Sequence, residues 1–473
     1  MTFAKDVIGF FDNGEMAMSK EAMLVSMARL VTETTWEQIP EKEKLWARLA
    51  FCDFTAVALA GSTVPVVQNL HRWLQSQHFD GRSVLIGTNE KTDAVRAALL
   101  NGTAAHALDY DDVSWTTIGH PTVSVAPVAL ACAQERGDDG KAVIQAYILG
   151  VEVMHRIARL TMPALSERGW HTTPVYGVFG AAAAACFIYG ASLMETVNAL
   201  AIAASRAGGV RGNFGTQTKA LHAGLSAADG IECAQMAMCG ITGSSGVIEK
   251  ADGFAKCFVG SSLPKNDEVT NEWDLEKNGL VFKRYPCCSG SHPANDVWDE
   301  YVRKTNLQAE YIEKIEAGLS LLGPRELNCH FPENAVAAKF SLEFALASRV
   351  VFGPLCIGSF TDEKVRDERV RMLMKKITVS VDKDLAELGF IGTAPVRLTV
   401  YLKNGVTAHL ACDLAEGNPE KPLSEATRHH KFEDCFQTAK VQSLTDAYWR
   451  ALQKPEEMSA AFVGQLGQAS VLG

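Results

Sequence analysis

From residue 20 to about 260 the chain is a succession of Ala-, Leu-, Ile- and Met-rich stretches with helical spacing, separated only by short Gly, Pro or Asp breaks such as Gly137-Asp138-Asp139-Gly140. A run of that length can bury its apolar stripes only against other helices, so it dictates a large all-helical domain. The segment 140–160, with Val143, Ile144, Ala146, Tyr147, Val151 and Met154, is apolar over much of its circumference and reads as a helix sandwiched between others. Near Lys265-Asn266-Asp267 the composition shifts. Beyond it, residues 315–321, 377–381, 396–402 and 407–411 have strand character, and Asn404-Gly405 between the last two is a hairpin signal. The chain from about 428 to 472 is helical again. The expected fold is therefore mainly α with an inserted α+β domain: helical residues 1–265, a smaller α/β lid over 266–413, and a return to the helical domain over 414–473.

Composition narrows the functions such a fold can carry. A chain of 473 residues with 47% hydrophobic content can bury a large core. Its net charge of -10 and pI near 5.7 leave no basic face to replace phosphate counterions, which argues against nucleic acid as a partner. Twelve cysteines, several inside apolar runs such as Cys52, Cys132, Cys186, Cys233 and Cys412, read as reduced thiols of a cytoplasmic protein. The opening Met-Thr-Phe-Ala-Lys-Asp lacks the features of a signal peptide, and no stretch is expected to reach the length and apolarity of a membrane span.

The chemistry is concentrated in four clusters. Residues 101–122 gather His106, Asp109, Asp111, Asp112 and His120 between two Ala-rich runs and end in Gly119-His120-Pro121. Taken singly, the aspartates read as helix caps and His106 as a packed side chain. Together they are a candidate acid/base site, because imidazole moves protons near neutral pH and a carboxylate can orient it. Trp170-His171-Thr172-Thr173 and Thr216-Gln217-Thr218-Lys219-Ala220-Leu221-His222 each place polar or cationic groups just before a helix of small residues, where N-terminal amides can receive an anion. Lys219 and His222 are three apart and would share a helix face, and the Gly, Ala, Leu and Thr around Lys219 imply a partly enclosed ammonium. The fourth cluster, Tyr285-Pro286-Cys287-Cys288-Ser289-Gly290-Ser291-His292-Pro293, offers no chelating spacing; Cys287 and Cys288 read as small wall residues, and Ser291 or Pro293 as the start of a helix. No metal-binding or nucleotide-binding motif stands in a supporting context, so neither metal nor cofactor is expected.

These clusters, with the Asp53-x-x-Ala-Val-Ala-Leu-Ala-Gly-Ser segment and Ala338-Lys339-Phe340-Ser341-Leu342-Glu343-Phe344, stand in an order that resembles the MmgE/PrpD family of 2-methylcitrate dehydratases, cis-aconitate decarboxylases and iminodisuccinate epimerases. The resemblance implies a large helical domain with an inserted lid and a homodimer. It implies catalytic roles for Asp109, His120, His171, Lys219 and His292, with Thr218, His222, Val113 and Phe344 at the substrate. Val113 and Phe344 depart from the decarboxylase pattern by lacking a hydroxyl, while the string Asn213-Phe214-Gly215-Thr216 looks most like the epimerase branch. The expected function is a cofactor-independent lyase that moves a proton at a carbon next to a carboxylate of a small di- or tricarboxylate. An epimerase using the same carbanion chemistry is the second expectation, and a non-catalytic carboxylate binder the third.

Overall fold

The computed structural model describes residues 22–261, 272–321, 323–388 and 393–469. The opening residues read for a signal peptide, the boundary at 265/266 and the end of the last helical stretch lie outside the described residues.

Two hydrophobic cores organise the molecule. The first is lined by residues from Met23 to Phe282 and takes in Leu423, Phe432, Phe436, Tyr448, Leu452 and Leu466 from the far end of the chain. The second begins at Tyr285 and ends at Val400, so the path passes from one core to the other between Phe282 and Tyr285. At the centre of the first core lies helix Thr172–Tyr189, packed against Thr122–Arg136, Gly140–Thr161 and Gln217–Met238. This helix corrects one expectation: by length and apolarity alone it could cross a membrane. Its Ala181 to Ala185 run and nearly all its other side chains are instead buried by neighbouring helices, the normal setting of an all-round apolar helix in a protein core.

Helix starts and stops follow the expected chemistry. Gly137, with φ +81°, ends Thr122–Arg136 in the left-handed conformation that glycine tolerates, and the Asp139 side chain accepts from the Ala142 amide to start Gly140–Thr161. The second core contains a four-stranded sheet in the order Ile377–Val381, Ile312–Leu319, Val396–Leu402, Thr407–Cys412; the first pair is parallel and the others antiparallel. Val396, Leu398 and Val400 alternate into the core, as a sheet with one covered face requires. Helices His292–Thr305 and Leu342–Phe352 pack in this core, joined where Trp298 Nε1 donates to the Leu346 carbonyl at 2.9 Å. Asn404-Gly405 makes the hairpin turn, with Gly405 at φ +82°.

One close approach sets the geometry of the chemical groups. A Cβ on Gly224 would lie 2.1 Å from the Leu99 carbonyl oxygen, and one on Gly102 would lie 3.1 Å from Gly224 Cα. Helices Ala94–Ala107 and Gln217–Met238 therefore touch backbone to backbone. Asp109 follows the end of the first helix and Lys219 sits in the opening turn of the second, so this contact brings the two side chains together.

Candidate active site

A cleft of about 640 Å³, counting its open mouth, lies between the helical residues and the start of the second core. Asp109, Val113, His120, His171, Arg211 and Lys219 line it from one side, Cys288, Ser289, Gly290, Glu326 and Phe340 from the other, with Lys283 at the crossing point. Helix Thr172–Tyr189 begins at this cleft: Thr173 Oγ1 accepts from the His120 amide at 3.0 Å, and Thr172 Oγ1 donates to the Ile118 carbonyl at 2.7 Å. Two residues of the polar loop hold positive φ, Asp109 at +52° and Ile118 at +44°. For a β-branched residue this conformation costs about 1–3 kcal/mol and persists only where the surroundings enforce it. Here the loop is tied down from both sides, and Thr116 Oγ1 also donates to Asp274 Oδ2 at 2.8 Å.

The loop builds an imidazole with a fixed proton. His120 Nδ1 lies 2.8 Å from Asp111 Oδ2 and 2.9 Å from the Asp112 carbonyl. His106 Nδ1 lies 2.9 Å from the same Asp111 oxygen. Burial alone would raise the Asp111 pKa, but the two imidazoles outweigh it and hold the carboxyl well below the usual range. Both neighbours of His120 Nδ1 are thus acceptors, Nδ1 carries the proton, and Nε2 is left with its lone pair beside the cleft, 3.9 Å from Asp109 Oδ1. Burial pushes His106 down to about 4 and, with the charge of Lys219, holds His171 well below its ordinary value, so both rings stay neutral. His171 Nδ1 meets His222 Nδ1 at 3.1 Å, and only one of those two nitrogens can carry a proton.

Beside His120 stands a cationic group organised by Asp109. Lys219 Nζ pairs with Asp109 Oδ1, and Lys283 Nζ lies 3.2 Å from Oδ2 and donates to the Asp109 carbonyl at 2.8 Å. Burial raises the Asp109 pKa, yet the two ammoniums outweigh it and hold the carboxyl far below its normal value. Burial disfavours the Lys283 charge, but Asp109 more than restores it. Behind them Lys339 reaches back from the second core to the Leu108 carbonyl, at the end of helix Ala94–Ala107, where the helix dipole favours a cation. Burial pushes this ammonium down to about 7.

Of the expected residues, the structure brings Asp109, Val113, His120, His171 and Lys219 together at the cleft. Four do not reach it. His292 opens helix His292–Thr305 and is not among the cleft-lining residues; its Nε2 lies 3.3 Å from the Cys287 carbonyl, and burial pushes it to about 3. His222 stands behind His171. Thr218 is half-buried in the opening turn of Gln217–Met238, its amide donating to Thr216 Oγ1. Phe344 is fully buried against Phe360 in the second core, because the helix that begins at Leu342 turns it inward. Of the two wall cysteines, Cys288 lines the cleft and Cys287 packs beneath it against Ser291. The sequence reading missed Lys283, Arg211, Glu326 and Phe340. Lys283 stands two residues before the Tyr-Pro-Cys-Cys cluster and was the one with a visible signal; Phe340 places its ring 5.0 Å from Lys219 Nζ.

His106, Asp109, Asp111 and His120 bring possible metal-ligand atoms within 4.8 Å of one another. The two ammoniums already on Asp109 would repel a divalent ion there, so the donor set suits a proton-transfer site better than a cation site.

The sequence profile of the MmgE/PrpD N-terminal domain matches residues 25–266, and that of the MmgE/PrpD C-terminal domain matches residues 285–449. The chain belongs to the MmgE/PrpD family. Among its relatives, cis-aconitate decarboxylase of Homo sapiens is 31% identical over 348 residues, covering 71% of each chain. The enzyme of that name from Mus musculus is 30% identical over 351 residues, covering 71% of this chain and 70% of its own. That of Aspergillus terreus (strain NIH 2624 / FGSC A1156) is 25% identical over 401 residues, covering 78% of this chain and 81% of its own.

Proposed function

We propose that this MmgE/PrpD protein is a lyase that moves a proton at a carbon next to a carboxylate of a small di- or tricarboxylate, without a metal or cofactor. The observation that carries the proposal is the convergence of His120, its Nδ1 proton held by Asp111, and the Lys219/Lys283 pair on one cleft around Asp109. The carbon beside a carboxylate is a weak acid, so the reaction needs a base and a place for charge to accumulate on the carboxylate oxygens. His120 Nε2 supplies or accepts the carbon proton, and Asp111 stabilises the imidazolium when it forms. Lys219 and Lys283 stabilise the substrate carboxylate as negative charge spreads into it, with Asp109 holding both ammoniums in place. His171, held neutral by its surroundings, serves as a hydrogen-bonding group and not as the charged acid. The names of the curated relatives favour loss of carbon dioxide. The lid carried by the second core would close over bound substrate and exclude water.

The epimerase reading remains the second one, because the Asn213-Phe214-Gly215-Thr216 string resembles that branch and the same groups can return a proton to the opposite face. Proton NMR of the pure protein with cis-aconitate, 2-methylcitrate and iminodisuccinate in turn separates them. Loss of carbon dioxide or of water supports the lyase; inversion without loss of either supports the epimerase; no change in any of the three, with the protein folded, overturns both. The homodimer and cytoplasmic location belong to the same proposal, tested by light scattering after gel filtration and by cell fractionation.

A further inference from the structure

Arg211 and Glu326 face each other across the cleft. Arg211 lies on the short turn Arg211–Asn213 of the helical side, its amide donating to the Gly169 carbonyl at 2.9 Å, and Glu326 ends the turn Gly323–Glu326 on the second-core side. Their closest approach, Arg211 Nη1 to Glu326 Oε1, is 3.8 Å, inside ion-pair range and too long for a hydrogen bond. Among the described residues Glu326 is the only acid paired with this guanidinium, which is therefore charged, anchored at its backbone and short of the bidentate contact its planar fork is built for. Lys219 and Lys283 share the carboxylate of Asp109 at contacts of 3.2 Å or less, so Arg211, 3.8 Å from Glu326, is the cleft cation with the loosest carboxylate contact. Burial raises the Glu326 pKa, so the carboxylate gives up its charge more readily than a surface glutamate.

Resting on the proposed carboxylate chemistry, we propose that Arg211 is the specificity-determining clamp for a second carboxylate of the substrate, and that Glu326 is an internal placeholder which that carboxylate displaces. One carboxylate of the substrate meets Lys219 and Lys283, where charge develops. A distal one takes both nitrogens of the Arg211 fork, at proper hydrogen-bonding distance, in exchange for the loose contact with Glu326. The substrate class is thereby restricted to molecules with at least two carboxylates. Because the placeholder sits on the other wall, binding also exchanges one tie between the two walls for another.

Calorimetric titration with tricarballylate, an unreactive tricarboxylate, tests this. The full chain, Arg211→Gln, Arg211→Lys and Glu326→Gln are compared after their thermal unfolding has been checked. Arg211→Gln is expected to weaken binding about 10- to 100-fold, the scale of a lost charge-assisted bidentate contact, with Arg211→Lys in between. Glu326→Gln, which removes the competitor, is expected to tighten binding several-fold. A pair that merely braced the two walls would give weaker binding in both variants, so weakening by Glu326→Gln overturns the placeholder. Unchanged binding in Arg211→Gln overturns the clamp. If the unaltered protein fails to bind tricarballylate at all, the carboxylate function itself falls, and this inference with it.

Discussion

Asp111→Asn removes the charge on which two imidazoles converge while changing almost no volume. Asp111 Oδ2 takes the Nδ1 proton of His120 at 2.8 Å and of His106 at 2.9 Å. A hydrogen bond to a charged partner is worth about 1.5–3 kcal/mol. At 1.36 kcal/mol per decade, losing it when His120 becomes an imidazolium lowers kcat/KM by about 10- to 150-fold. The amide can also turn its NH2 toward Nδ1, which moves the His120 proton to Nε2 and removes the lone pair from the cleft. The loss should fall on kcat with KM little changed, because Asp111 does not line the cleft. Since the folded pKa of Asp111 lies below its unfolded value, its contribution to stability is present at neutral pH and lost as acid protonates it. The melting temperature of the variant should therefore trail the parent at pH 7 and converge with it in acid. Steady-state kinetics over a pH range, with thermal unfolding of the same samples, reads both effects. A folded variant with kcat within twofold of the parent would refute the assignment of Asp111 as the group that orients His120.

Lys219→Ala is expected to raise KM and lower kcat together, since the ammonium acts on the bound carboxylate and on the charge that develops from it; an unchanged kcat/KM in steady-state assays would place Lys219 outside the chemistry. His292→Ala should chiefly lower the melting temperature, with kcat reduced less than about tenfold, because the ring does not line the cleft and lacks the direct role that general acid/base catalysis requires; a loss matching that of His120→Ala would return it to the reacting groups. Glu43 is buried with its pKa raised to about 8, mainly by burial, and its Oε1 accepts from the Glu276 amide at 2.7 Å. Raised above its unfolded value, this group contributes stability below the ordinary glutamate range, and that contribution is lost as pH rises toward 8. Glu43→Gln should therefore gain on the parent in calorimetric melting temperature between pH 5 and about 8, and a gain that grew toward acid would contradict the sign.

What was legible in the sequence was whatever depends on periodicity and local chemistry. The strands 377–381 and 396–402 are found at those residues, and the 140–160 helix is found as Gly140–Thr161. The loop that carries Asp109 and His120 announced itself because two histidines and three aspartates fall within residues 106–120, between two apolar runs. Arg211 and Glu326 were missed for the opposite reason: neither stands in a cluster of acid/base groups, and the meeting of the two cores brings them to the cleft. His292 and Phe344 were assigned to the site by resemblance, and each belongs to a helix whose first turn aims the side chain at its own core. The pairing of Asp109 with Lys219 depends on the contact between Gly102 and Gly224, and no local pattern reveals that two glycines 122 positions apart will touch.

The central claim is that His120 moves the proton at the carbon beside a carboxylate, and deuterium incorporation from deuterated water tests it most directly. The measurement follows the carbon-bound hydrogens of the substrate found to react, by proton NMR, for the parent protein and for His120→Ala. The account predicts that the parent places solvent deuterium at that carbon and that the variant, still folded, does so at least about 10²-fold more slowly. Incorporation at the parental rate in His120→Ala would contradict it.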